Sequence, residues 1–184
     1  MVADEFRDGN VPAKQDPLPC AQAALAALPA TVRGRYFHGD SACHNNELLG
    51  WLRHPDREQE PGGRIGFAVS AMLSDGLAAA LRQVREADWQ TFGQEADGTL
   101  RQWAEVDFVP GEASEHKDSK PPRYVGLRLL KPQGVLFKDG SDRHYHAVVT
   151  NLPTEGGKLL RGLSKQSPLG GFSENFWWAG YSTW

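Results

Sequence analysis

The stretch RGRYFHGDSACHNNELLGWL, residues Arg33 to Leu52, decides how the chain is read. An apolar approach through Tyr36 and Phe37 runs into Gly39-Asp40-Ser41, and an amphipathic run carrying Leu48, Leu49 and Leu52 follows. That order predicts a strand, an acid at its end, and a helix. An acid just past the carboxyl end of a strand stands where open α/β sheets place ligands, because the turn exposes it while the strand holds it rigid. Asp40 is therefore the first residue to consider for chemistry.

With 184 residues, the chain is long enough to bury a substantial core as one domain or two small ones. Forty per cent hydrophobic and 23% charged residues fit a globular protein, while 20 Gly and 12 Pro predict long connections. No apolar run reaches the roughly 20 residues of a membrane span, and Met1–Pro12 lacks the basic start and apolar middle of a signal peptide. A cytoplasmic protein is expected. Two cysteines, Cys20 and Cys43, make neither a disulfide framework nor a Cys-x-x-Cys metal site, and reduced thiols are expected. The net charge of -3 conceals an asymmetry: residues 114–165 hold ten Lys/Arg against five Asp/Glu, on an otherwise acidic chain. A basic segment of this kind suits a polyanion, since Lys and Arg displace counterions from phosphates; a solvated basic strand region is the plain alternative.

Outward from the central stretch, residues 1–19 read as loop, with a turn at Asp8-Gly9-Asn10 and three prolines that bar a helix interior. Ala21–Leu28 predicts a short helix, Thr31–His38 the strand that delivers Asp40, and Asn45–Arg53 the next helix. His54–Gly63 is a charged loop. The near-continuous apolar run Ile65–Ala71 predicts a strand buried on both faces; Ser74 then caps a helix with Leu77, Leu81 and Val84 on one side. Alternation of this type argues for parallel strands in an α/β layer. From Trp89 the pattern becomes β-rich. Strands are expected at Trp103–Val109, Arg123–Leu130, Val135–Lys138 and His144–Thr150, with a polar loop at Gly111–Pro122 and a hairpin turn at Asp139-Gly140. Pro153–Trp184, rich in glycine and tryptophan, shows no period and is expected to be irregular.

A carboxylate at a strand end suits Mg²⁺, which takes oxygen ligands, and two such ions about 3.5–4 Å apart can activate one oxygen and steady another. An N-terminal cap for the following helix is the structural role open to Asp40, and the two can coexist. A second constellation is His38, Asp40, Cys43 and His44, with His144 and His146 far along the chain on one face of a strand, a spacing used by zinc and iron sites. No Gly-x-Ser-x-Gly, Walker loop or dinucleotide fingerprint is present, so nothing points to an esterase, a nucleotidase or a dehydrogenase.

Taken together, Asp8-Gly9-Asn10-Val11-Pro12-Ala13, RYFHGDSACHNNELLGWL, IGFAVSAML, HAVVTNL and GGKLLR resemble, in order, the DDE transposases of bacterial insertion sequences, over about residues 4–161. The resemblance implies a partial RNase H-like α/β core at residues 1–95, a β-rich insertion at 96–152 and an irregular tail at 153–184. It also implies Mg²⁺-dependent cleavage and transfer of DNA strands by three acids. Asp40 matches the second acid. The first, on a strand upstream of the Asp-Gly-Asn turn, has no counterpart. The third, a helical Glu about ten residues past Leu159-Leu160-Arg161, falls where the sequence departs into Gly162-Leu163-Ser164 and on to Gly171; Glu155 and Glu174 fit neither its spacing nor its helix.

One carboxylate cannot position two ions, and losing the others would remove the electrostatic stabilisation that phosphoryl transfer needs. The expectation is a transposase fragment, inactive alone, with an end altered as by a frameshift. Its expected partners are DNA, as transposon ends and target, with a further copy of itself or a full-length transposase. Lys117, Lys120, Arg123, Arg128, Lys131 and Lys138 would contact phosphates. The alternatives are a DNA-binding or transposase-associating module without catalysis, and a hydrolase using a histidine-bound metal.

Overall fold

Ser74 and Asn45 behave as helix starters should: each side chain accepts a hydrogen bond from an amide three residues on, Leu77 N at 3.3 Å and Leu48 N at 3.1 Å. The computed structural model describes residues 17–29, 31–32, 34–55, 63–111 and 122–166. The expected Asp8-Gly9-Asn10 turn, Lys117, Lys120, Glu174, and most of the two expected loops and of the tail lie outside them.

The elements run α1 (Leu18–Ala26), β1 (Arg35–Gly39), α2 (Asn46–Arg53), β2 (Ile65–Ser70), α3 (Asp75–Gln83), β3 (Gln90–Gln94), β4 (Leu100–Val106), β5 (Arg123–Leu130), β6 (Arg143–Thr150) and α4 (Gly156–Gln166). Six strands form one mixed sheet in the order β1-β2-β6-β5-β4-β3. The fold is mixed α/β. As expected of a helix-connected pair, β1 and β2 are parallel, with Phe37 opposite Phe67; every other neighbouring pair is antiparallel.

Alternation along β2 divides the core. Ile65, Phe67 and Val69 face Leu25 of α1, Leu48 and Leu52 of α2, and Leu77 and Leu81 of α3, whereas Ala68 belongs to a second cluster with Val125, Leu127, Val148 and the α4 leucines 159, 160 and 163. A strand buried on both faces reads as a continuous apolar run, which is why Ile65–Ser70 was legible.

Four expectations need correction. The first helix starts at Leu18, not Ala21, because Pro19 falls in its first turn, where no amide donor is missed. Val135–Lys138 is not a strand: Phe137 and Ser141 close a turn, Phe137 N donating to Ser141 O at 2.8 Å and Gly140 N to Phe137 O at 3.0 Å. An additional strand, β3, joins β4 through Asp97-Gly98; the Asp97 carboxylate accepts from Thr99 N at 3.0 Å, and Gly98 has φ of +84°. The start of the tail is helical. Gly156 and Gly157, read as breakers, are there for close approach: a Cβ on Gly156 would lie 2.3 Å from the Trp103 ring, and one on Gly157 2.7 Å from Trp103 Nε1.

Candidate functional site

Asp40 stands immediately beyond β1, at its carboxyl end. Gly39 lets the chain fold back there, since a Cβ at that position would meet Cys43 Cβ at 2.6 Å. A single 3-10 turn, Ser41–Cys43, follows, and Asp40 caps it: Oδ1 accepts from Ala42 N at 3.0 Å, while the Asp40 carbonyl accepts from Cys43 N at 3.1 Å. The cap uses one of about four acceptor sites on the carboxylate. Capping and ligand binding are thus compatible at this residue.

The neighbours of Asp40 are tuned by burial. His38 is held below its usual pKa because burial disfavours the imidazolium, against a smaller opposing pull from Asp40. Cys43 is pushed up to about 11, first by burial and then by the negative charge of Asp40. Burial also lowers His44, whose Nε2 is enclosed without a hydrogen-bond partner among the described residues and whose ring meets Tyr124 edge-on, centroids 6.4 Å apart. Neutral imidazoles and a protonated thiol around a lone carboxylate are a poor set for Mg²⁺, which prefers several oxygens. Among the described residues no group of three or more His, Cys, Asp and Glu could hold a metal ion. Two Mg²⁺ ions do not fit this donor set.

The two histidines of β6 are placed differently. His144 Nε2 lies 3.0 Å from an Asp139 carboxylate oxygen, and its ring stacks on Phe137 at 3.9 Å; His146 is exposed. Glu155 begins α4, its carboxylate accepting from Gly157 N at 3.2 Å and its carbonyl from Leu159 N at 3.0 Å. It acts there as a cap.

Of the basic residues expected to meet phosphate, four are described. Arg128 is 1% exposed: Nε and Nη2 donate to Gln102 Oε1 at 2.9 and 2.7 Å, Nη1 and Nη2 to the Glu86 carboxylate at 2.7 and 2.6 Å, and the Trp89 ring lies 4.6 Å away. Arg123 pairs with Glu105 and donates through Nη1 to the carbonyls of Leu152 and Thr154 at 2.8 and 2.7 Å. Lys131 reaches Asp97 at 2.6 Å and lies over Phe137. Lys138 is exposed beside the Asp139-Gly140 turn. Arg123 and Arg128 are five residues apart on one strand and so point to opposite faces. The four do not form one cationic face. The Arg128–Gln102–Glu86 cluster went unseen in the sequence, where nothing links residues from three separate elements.

No family model and no curated protein matches the chain. Among the described residues, no helix is long and apolar enough to cross a membrane.

Proposed function

We propose that the chain is the portion of a DDE strand transferase that carries the second catalytic acid, Asp40, and that on its own it binds DNA without cleaving it. The observation that carries this reading is the position of Asp40: an acid at the carboxyl end of a strand parallel to its neighbour, in a sheet continued by antiparallel strands. An RNase H-like core extended by β-rich sequence would place its second acid in this way. The matching position for the third acid falls beyond Gly162-Leu163-Ser164, where the sequence departs from the pattern.

Contact with DNA is assigned to the basic segment, through Lys138 and, beyond the described residues, Lys117 and Lys120. Arg123, Arg128 and Lys131 are already engaged with Glu105, Glu86 and Asp97 and are not given this role. Binding of this kind is electrostatic, so affinity should fall linearly on logarithmic axes as salt rises, with a slope near 0.9 for each phosphate neutralised.

The test combines cleavage and binding on duplex DNA. With Mg²⁺ or Mn²⁺ the unmodified chain should leave the DNA intact, while Lys138→Ala should lower affinity and flatten the salt dependence. Cleavage that disappears in Asp40→Asn would show that another carboxylate completes the site, and binding insensitive to salt would remove the DNA reading.

A further inference from the structure

Helices α1, α2 and α3 cover one face of the sheet, the face of Phe37 and Phe67, while α4 lies on the other against β3 and β4. At the far edge of that second face stands Tyr36 of β1, 58% exposed. Strand alternation puts it on the opposite face from Phe37, and parallel pairing sets it beside Gly66, two residues after Arg64. Tyr36, Arg64 and Gly66, with Leu152 and Pro153 beyond β6, line a half-open cavity of about 220 Å³. We propose that this cavity is a stacking subsite for one base of a single-stranded nucleic acid.

The tyrosine ring is held as a platform. A Cβ on Gly66 would lie 2.8 Å from Tyr36 Cδ1 and 2.9 Å from Cε1, and one on Gly34 would lie 3.5 Å from Cε2. The ring therefore rests on backbone, at positions that carry no side chain. Leu152 closes the same spot, its Cδ2 2.7 Å from where that Cβ of Gly66 would stand. With one side of the ring seated on β2, the exposure of Tyr36 belongs to its other side. A ring fixed in this way has little freedom left to lose when a second ring stacks on it, and every base offers a π-face.

Arg64 supplies the charge beside the platform. It is exposed, and its Nη2 donates to Asn151 O at 2.7 Å. A guanidinium has five N–H donors in a fixed fork, so this anchor leaves others for a phosphate of the same strand. Asn151 does not compete, since its Oδ1 accepts from Phe67 N at 2.9 Å and its Nδ2 donates to Ile65 O at 2.8 Å. No carboxylate lines the cavity among the described residues, so nothing there repels a polyanion. The volume is below the roughly 300–1,000 Å³ of pockets that engulf an organic ligand, which suits a base laid across the opening with its sugar and phosphate outside. Bases inside a duplex are already stacked, so the ligand is an unpaired stretch. The inference rests on the DNA-binding reading above and adds to it a contact that is not electrostatic.

The experiment titrates the isotopically labelled full chain with a single-stranded thymidine oligonucleotide and with an abasic strand of the same length, following the amide resonances of Gly34 and Gly66. The thymidine strand should move both resonances saturably, and the abasic strand should bind about tenfold more weakly. Tyr36→Leu should bring thymidine binding down to the abasic level, whereas Tyr36→Phe, which keeps the ring, should bind as the unmodified chain does. Arg64→Gln should weaken both strands alike and flatten the salt dependence. The abasic comparison needs no variant, so it stands even if Tyr36→Leu disturbs the strand. Equal affinity for the two strands, or thymidine binding that leaves Gly34 and Gly66 unmoved, would overturn the subsite while the role of Lys138 in DNA binding survives. Absence of salt-sensitive binding to any nucleic acid would remove both.

Discussion

Arg128 is the residue whose removal should cost most for its size. Its charge is carried inside the sheet by Gln102, by the Trp89 ring, and by Glu86, whose own side chain is 72% exposed. Arg128→Ala would leave a cavity and strand the Gln102 carbonyl, a loss of about 2–4 kcal/mol that urea unfolding would register. Glu86→Ala should cost less, since its carboxylate already faces water. Cys43 offers a reporter on Asp40. A thiol raised to about 11 by burial and a neighbouring carboxylate stays protonated in the folded chain at a pH where the unfolded thiol ionises. Folded-state stability from this group is therefore complete below the unfolded pKa of about 8.5 and is lost as pH rises towards 11. Asp40→Asn should bring the Cys43 titration down, measured by thiolate absorbance in a Cys20→Ser background; an unmoved titration would separate the two side chains. At this scale the sequence showed Asp40 clearly, because a strand-to-helix transition is a local pattern. It could not show that Arg128 is structural, because that fact depends on strand register.

At the scale of elements, glycine had two meanings that composition does not distinguish. In α4, a Cβ on Gly162 would meet nothing within 4 Å, whereas one on Gly156 would strike the rigid Trp103 ring. Gly162→Ala should therefore stabilise the protein by about 0.5–1 kcal/mol through helix propensity, and Gly156→Ala should destabilise it by about 1–3 kcal/mol despite the same propensity gain. Thermal unfolding of the two variants decides the matter, and equal shifts would mean that α4 does not sit on Trp103. The helix α3 was legible because its cap and leucine spacing agree, Ser74 with Leu77 and Leu81. The helix α2 was legible by its leucine spacing alone, since Asn45, read as the first helical residue, is its cap, while Asp40 caps only the 3-10 turn before it. The helix α4 was not, since two glycines at its start outweighed Leu159, Leu160 and Leu163, and β3 was hidden because Phe92 alone of its five residues is buried.

For the whole molecule, pairwise alternation of helix and strand up to residue 88 gave the parallel β1–β2 pair, and the β-rich grammar after Trp89 gave antiparallel strands. What no local pattern contains is the seam between them. The strand β2 is completed on its second edge by β6, with Ala68 opposite Thr150, and Thr150 Oγ1 donates to Phe67 O at 2.6 Å across 83 positions of sequence. During synthesis, the most apolar of the described strands therefore emerges long before this partner exists. Closing so long a loop is slow relative to local helix formation, and the waiting edge is open to chaperones or to other nascent chains. Ribosome-bound chains arrested shortly after β5 has emerged should show rapid amide exchange at Phe67, and protection there should arrive only once β6 has cleared the exit tunnel.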